Sequence, residues 1–252
     1  MRGRIVKPIA NEAPSINGGF PVIGKIKVGM KGANGYPTSL DYFKADGKYE
    51  SLFRQAYGAK PNSITAVFMS DDISQVCNMR YELRDRAGAL FGEGDGENFK
   101  IYNSQKGEYV NLSLSDYPDL LVQALIKSGS QNGWSVVLTL RFILPEIKGV
   151  FGLWALTTKG EASSIPSIVG AFDSVQEHAG TVVGVPFDLQ VEKVKSQKPD
   201  SKAKFPVIRL IPNIGEGNMR KLKEYTMQGA DLKSIGMLTD EKINTLRLNE
   251  NN

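Results

Sequence analysis

A chain of 252 residues is long enough to bury a substantial core, in one large or two modest domains, without covalent staples. A single cysteine, Cys77, excludes an intramolecular disulfide, and a single histidine, His178, leaves zinc sites and histidine-dependent triads poorly supplied. The net charge of +4 is segregated, with +6 over residues 1–60, −4 over 61–130, −1 over 131–185 and +3 over 186–252, so basic ends flank an acidic middle.

Residues 1–21, with Pro8, Pro14, Pro21 and the Gly18-Gly19 pair, read as an extended arm. Its Arg2, Arg4 and Lys7 either stay solvated or reach a phosphate backbone. The N-terminus carries charge without the apolar run of a signal peptide, and no stretch reaches the roughly 18 apolar residues of a membrane span. The expectation is a soluble, unexported protein of a host cytoplasm, with no membrane partner.

The densest stretch follows. From Val22 to Val28 the pattern is that of a strand, with Lys25 and Lys27 on one face and Ile26 and Val28 on the other. It is expected to dissolve into a loop at Gly29, Gly32 and Gly35, trailed by Tyr36, Tyr42 and Phe43. Lysines on one face, with Lys31 and Lys44 beside them, plus glycines and aromatics, are the ingredients of a surface that tracks phosphates and stacks bases. The competing reading is a solvated sheet edge whose lysines oppose aggregation. Gly19-Phe20-Pro21-Val22-Ile23-Gly24-Lys25 imitates a P-loop, but Ile26 stands where the magnesium-binding hydroxyl belongs, and Pro21 and β-branched residues fill the loop. Gly32-Ala33-Asn34-Gly35 matches the short GxxG of KH domains without helices around it. Neither motif is adopted.

Beyond it, Asp46 is a candidate cap for a helix carrying Tyr49, Leu52, Phe53 and Ala56 and ended by Gly58 and Pro61. Strands are expected at 64–69, 79–84, 89–91 and 99–102, with the Gly/Asp-rich 92–97 as a hairpin connection. Glu93, Asp95 and Glu97 alternate there, but the register of a calcium loop is missing. A helix over 116–128 precedes 134–144, whose two apolar faces predict a central strand, with Val137, Thr139, Arg141 and Ile143 on one of them. Another strand at 149–158 leads to an amphipathic helix through Ile165, Ile168, Phe172 and Val175, stopped by Gly180. His178 sits near its C-terminus, where an imidazole suits the helix dipole better than catalysis.

Strands at 187–194 and 205–211 bracket a long hairpin tip that forms a second basic site with Lys195, Lys198, Lys202 and Lys204. A helical tail completes the chain, with Asn218 and Thr239 as candidate caps. The expected architecture is α+β, mainly antiparallel β-sheets with about ten strands and four or five helices. It divides into an arm (1–21), a β-rich body (22–212) and a helical tail (213–252) suited to partner docking. An OB-like barrel is one topology compatible with it.

Several fragments, in order, resemble a phage family, the recombination directionality factors of large serine integrases and their relatives in other phages. They are Gly24-Lys25-Ile26-Lys27-Val28-Gly29 with Gly35-Tyr36-Pro37, Leu40-Asp41 and Phe43; Tyr57-Gly58 before Ile64; and Gly149, Gly152 and Ala155-Leu156-Thr157-Thr158. Gly180, Gly184-Val185-Pro186-Phe187, Gln190-Val191 and Phe205-Pro206-Val207 continue the series, so the likeness spans about residues 20–212. The resemblance implies a non-enzymatic protein that binds an integrase and shifts it from integration toward excision, with a second role on DNA. It supplies no catalytic residues, cofactor or metal.

The function expected from these readings is a phage DNA-metabolism accessory protein that regulates recombination or replication. Its partners would be single-stranded or structured DNA, a phage recombinase, or both, with self-association left open. The alternatives are an interaction module that does not touch DNA, and a metal-dependent hydrolase using Asp71, Asp72, Asp95 or Glu97, since adjacent aspartates at a strand end can hold magnesium.

Overall fold

The structure, a computed structural model, describes residues 20–32, 37–196, 202–229 and 236–245. Among these residues it is an α+β fold of eleven strands and six helices. Eight strands form one sheet in the order β2 (Pro37–Asp46), β1 (Val22–Lys31), β9 (Leu153–Thr158), β8 (Trp134–Phe142), β4 (Cys77–Arg84), β5 (Leu90–Gly94), β6 (Asn98–Asn103) and β7 (Glu108–Ser113). Only β1 and β9 run parallel among these neighbours; every other pairing is antiparallel. A smaller sheet joins β11 (Lys204–Pro212), β10 (Pro186–Lys195) and β3 (Ser63–Val67). Two open sheets replace the OB-like barrel.

The main core lies between the sheets. The inner face of the large sheet gives it Ile26, Leu138, Leu140, Phe142, Trp154 and Leu156, and the small sheet gives it Ile64, Phe187, Leu189 and Ile208. Phe68, Phe142, Phe172 and Phe187 meet there, with ring centroids 4.6 Å apart for Phe68–Phe172 and 5.3 Å for Phe68–Phe187. Helix α4 (Ser164–Ala179) buries the predicted stripe, Ile165, Ile168, Phe172 and Val175, and ends at Gly180 in the left-handed conformation. Its first residue is tied to β11, because the Ser164 hydroxyl accepts from the Ile208 N–H at 2.9 Å. A second core of Leu83, Phe91, Phe99, Ile101, Leu120 and Ala124 fills the far end, where α3 (Leu120–Ser128) lies under β4–β7.

Two glycines show why β1 fits β9. A Cβ on Gly24 would come within 2.4 Å of the Trp154 ring, and one on Gly152 within 2.4 Å of Ile23, so both positions need close backbone approach. The central strand β8 and the hairpins match their sequence patterns. β2 and β7 do not, because each lacks the clean alternation that marks a half-buried strand.

The tail is packed rather than peripheral. Helices α5 (Glu216–Met227) and α6 (Asp240–Thr245) place Leu222 and Ile243, with Leu238 between them, fully buried in the main core. The N-cap of α5 is Gly215 rather than Asn218, which instead donates to Asp240 at 2.6 Å. Among the described residues no helix is long and apolar enough to cross a membrane.

Candidate nucleic-acid interface

Strand β1 runs on through Gly29 to Lys31 instead of ending at Gly29, because β2, which stands where a loop was expected, pairs with it as Gly29–Ser39, Met30–Thr38 and Lys31–Pro37. Between these pairs and Lys27–Lys44 lies a bulge, in which the four residues 40–43 of β2 stand opposite the single Val28. The extra length turns Leu40 and Phe43 into the core. A bulge of this kind bends the ribbon and increases its twist. The distal halves of β1 and β2 thereby wall a groove of about 890 Å³ whose far side is Thr139 and Arg141 of β8 and Ala155 and Thr157 of β9.

Cross-strand register defines the floor. One row runs Arg141, Ala155, Lys25, Asp46, with Ala155 facing Arg141 on one side and Lys25 on the other. The next contains Thr139 and Thr157, whose hydroxyl oxygens are 3.4 Å apart. Lys25, Lys27 and Arg141 all line the groove; among the described residues no acid lines it, since Asp46 ends the row on β2 outside the lining. Val22 and Met30, each 43 % exposed, add apolar side chains to it.

The three cations differ in their partners. Lys27 forms an ion pair with Asp46. The hydrogen bond and charge of Lys27, with Lys25 and Lys44 adding to them, hold the Asp46 carboxyl below its ordinary value. Among the described residues no carboxylate pairs with Lys25 or Arg141. Arg141 is half-buried, and its Nη1 donates to the Gln75 carbonyl at 3.3 Å. Burial, and then the neighbouring Arg80, push its pKa down, as expected for a cation short of counter-charge.

Of the residues singled out from sequence, Lys25, Lys27 and Lys44 come together on this face, Lys44 directly opposite Lys27. Lys31 pairs through its backbone with Pro37, and its side chain lies outside the described residues, as do Tyr36 and Lys198. Lys195 and Lys204 face each other at the open end of the β10–β11 hairpin, and Lys202 is exposed beside them, on the other sheet and outside the groove. The expected stacking role fails for Phe43, which is 0 % exposed; Tyr42 is half-buried with the Lys60 ammonium 5.6 Å from its ring centre. Asp46 belongs to β2 and caps nothing; the residue preceding α1 (Glu50–Tyr57) is Tyr49. Sequence reasoning missed Arg141, Thr139 and Thr157. The available signal was Arg141 itself, the one charge in the 134–144 segment.

The candidate metal ligands have other engagements. Asp71 accepts hydrogen bonds from the Thr181 hydroxyl and the Val182 N–H, at 2.9 and 2.7 Å. Asp72 caps the short helix α2 (Ile73–Val76) through the Ser74 N–H, and Asp95 accepts from the N–H groups of Glu97 and Asn98 inside the hairpin turn. His178 presents Nδ1 to the Ser174 carbonyl of its own helix at 2.7 Å.

The family model of the Gp3-like, recombination directionality factor-like proteins matches residues 23–213, from the second residue of β1 to the residue after β11. The chain belongs to that family. No curated protein and no solved structure matches it. The Gp3-like match takes in α1–α4, both sheets apart from Val22 at the start of β1, and with them the groove apart from that residue, while α5 and α6 lie beyond it.

Proposed function

We propose that the chain is a non-enzymatic accessory protein of phage recombination, and that its cationic groove contacts the DNA of a recombinase–DNA assembly. Membership of the recombination directionality factor-like family supports the accessory role and a recombinase as partner. The observation that carries the DNA contact is the groove itself, three cations and four hydroxyl side chains with no acid among the described residues that line it. The structural engagements of Asp71 and Asp72 support a role without metal-dependent turnover.

Binding of labelled single-stranded and duplex DNA, measured across salt concentrations, tests this reading. Affinity should fall as salt rises, with a log–log slope near −0.7 per phosphate contact on a single strand. Joint replacement of Lys25 and Lys27 by glutamate should abolish binding at moderate salt. Pull-down from infected cells with nuclease treatment separates a direct recombinase contact from one bridged by DNA. Absence of any DNA binding at low salt would leave the protein-only module, which the exposed Val122 and Ile126, four residues apart on α3, favour.

A further inference from the structure

We infer that Arg141 and Lys25 form a phosphate anchor over Ala155, and that the groove admits a single DNA strand rather than a duplex. The inference rests on the reading of the groove as a DNA contact and goes further by naming the anchoring residues and the form of DNA. Two neighbouring strand spacings put the backbones of Arg141 and Lys25 roughly 9–10 Å apart on one sheet face. The residue between them in the row, Ala155, is small, so the two long cationic side chains flank a gap that reaches down to a methyl group. Beside the gap stand the hydroxyls of Thr139 and Thr157, which can donate to a phosphate oxygen.

Arg141 is unusual among the arginines of this sheet. It is half-buried, feels the charge of Arg80 and has no carboxylate partner among the described residues, so none of these residues offsets its removal from water with a counter-charge. The Gln75 carbonyl holds one end of its guanidinium and leaves the rest of a planar fork that matches two oxygens of a phosphate. The ribbon beyond the bulge walls the groove, with Met30, Thr38 and Ser39 across from Arg141. The aliphatic side chains of Val22 and Met30 beside the cations suit the unpaired base faces that a single strand presents and a duplex keeps stacked inside.

The test is fluorescence anisotropy on the full chain with a labelled oligothymidylate, the matching duplex and a free mononucleotide, using Arg141→Met, Ala155→Leu and the parent protein. Ala155→Leu fills the gap without changing charge, and thermal melting checks that each variant folds. The expected result is single-strand affinity above duplex affinity, lowered about tenfold by Arg141→Met and comparably by Ala155→Leu. If the parent binds the oligothymidylate and both variants bind as well as it does, the anchor is overturned while the DNA reading stands. If the duplex binds equally tightly, the single-strand assignment is overturned. Preference for the mononucleotide over the oligonucleotide would make this a nucleotide site and overturn the strand assignment. If the parent binds none of the three, the anchor and the DNA reading fall together.

Discussion

The outer face of the large sheet carries arginines in both halves, and the halves treat them oppositely. In the β4–β7 half, Glu82 is only 3 % exposed and bridges Arg80 and Arg84, at 2.6 and 2.9 Å. Glu93, its cross-strand neighbour, takes a further contact from Arg80 at 3.3 Å. Burial pushes the Glu82 carboxyl up, but the hydrogen bonds and charges of Arg80 and Arg84 together outweigh it, and its pKa lies below the ordinary 4.5. In the β8–β9–β1 half the same face presents Arg141 and Lys25 without such a partner among the described residues. Charge count alone would not separate the two. Pairing does: one half has spent its arginines on its own carboxylates, and the other leaves Arg141 and Lys25 without one among the described residues.

The largest way to break this contrast is Glu82→Gln. Losing one member of a buried ion cluster costs about 3–5 kcal/mol, and because both arginines remain more than a third exposed, about 2 kcal/mol is expected here. For a chain of this size that lowers Tm by about 5 °C. The same variant tests the pH dependence. A carboxyl whose folded pKa lies below its unfolded value contributes fully above the unfolded value and loses that contribution as pH falls through the folded one. Melting curves between neutral pH and pH ~3 should therefore fall more gently for Glu82→Gln than for the parent protein, and the two should converge in acid.

Arg141→Met should act in the opposite direction on stability. It removes a half-buried cation that no carboxylate among the described residues offsets and replaces it with an apolar side chain of similar reach, so Tm should equal or exceed the parent value, by up to about 1 kcal/mol of stabilisation. A fall comparable to that of Glu82→Gln would mean that Arg141 is a fold residue like Arg80 and Arg84. The sign of this one change thus sorts a binding arginine from a structural one.

The sequence marked the main elements well and the groove poorly, for physical reasons. Helix α4 and strand β8 carry their own periodicity, so Ile165, Phe172, Leu138 and Leu140 were legible as core residues from spacing alone. Lys25 and Lys27 were legible as one strand face for the same reason. The bulge at residues 40–43 was not, because it exists only where β2 meets β1, and it is what sends Phe43 inward and lets the ribbon wall a groove. Arg141 joins Lys25 through a register that spans residues 25, 155 and 141, a long-range pairing with no local signature. The tail misled in the other direction: its charged helices look detachable, yet Leu222 and Ile243 complete the main core.

The finest test of the contrast lies within the open half, between two lysines on the same strand face. Lys25 has no carboxylate partner among the described residues, whereas Lys27 already shares its charge with Asp46, so the two should not contribute equally to anion binding. Lys25→Gln is expected to weaken oligothymidylate binding about fivefold and Lys27→Gln about twofold. Asp46→Asn should then raise affinity about twofold by releasing the Lys27 ammonium, since the carboxylate is exposed and its main partner is that lysine. The decisive measurement is the double-mutant cycle: Lys27→Gln should cost more in the Asp46→Asn background than in the parent protein, because only there is the lysine uncommitted. Equal costs in both backgrounds would show that the Lys27–Asp46 pair does not restrain the lysine, and that pairing is not what divides this sheet face.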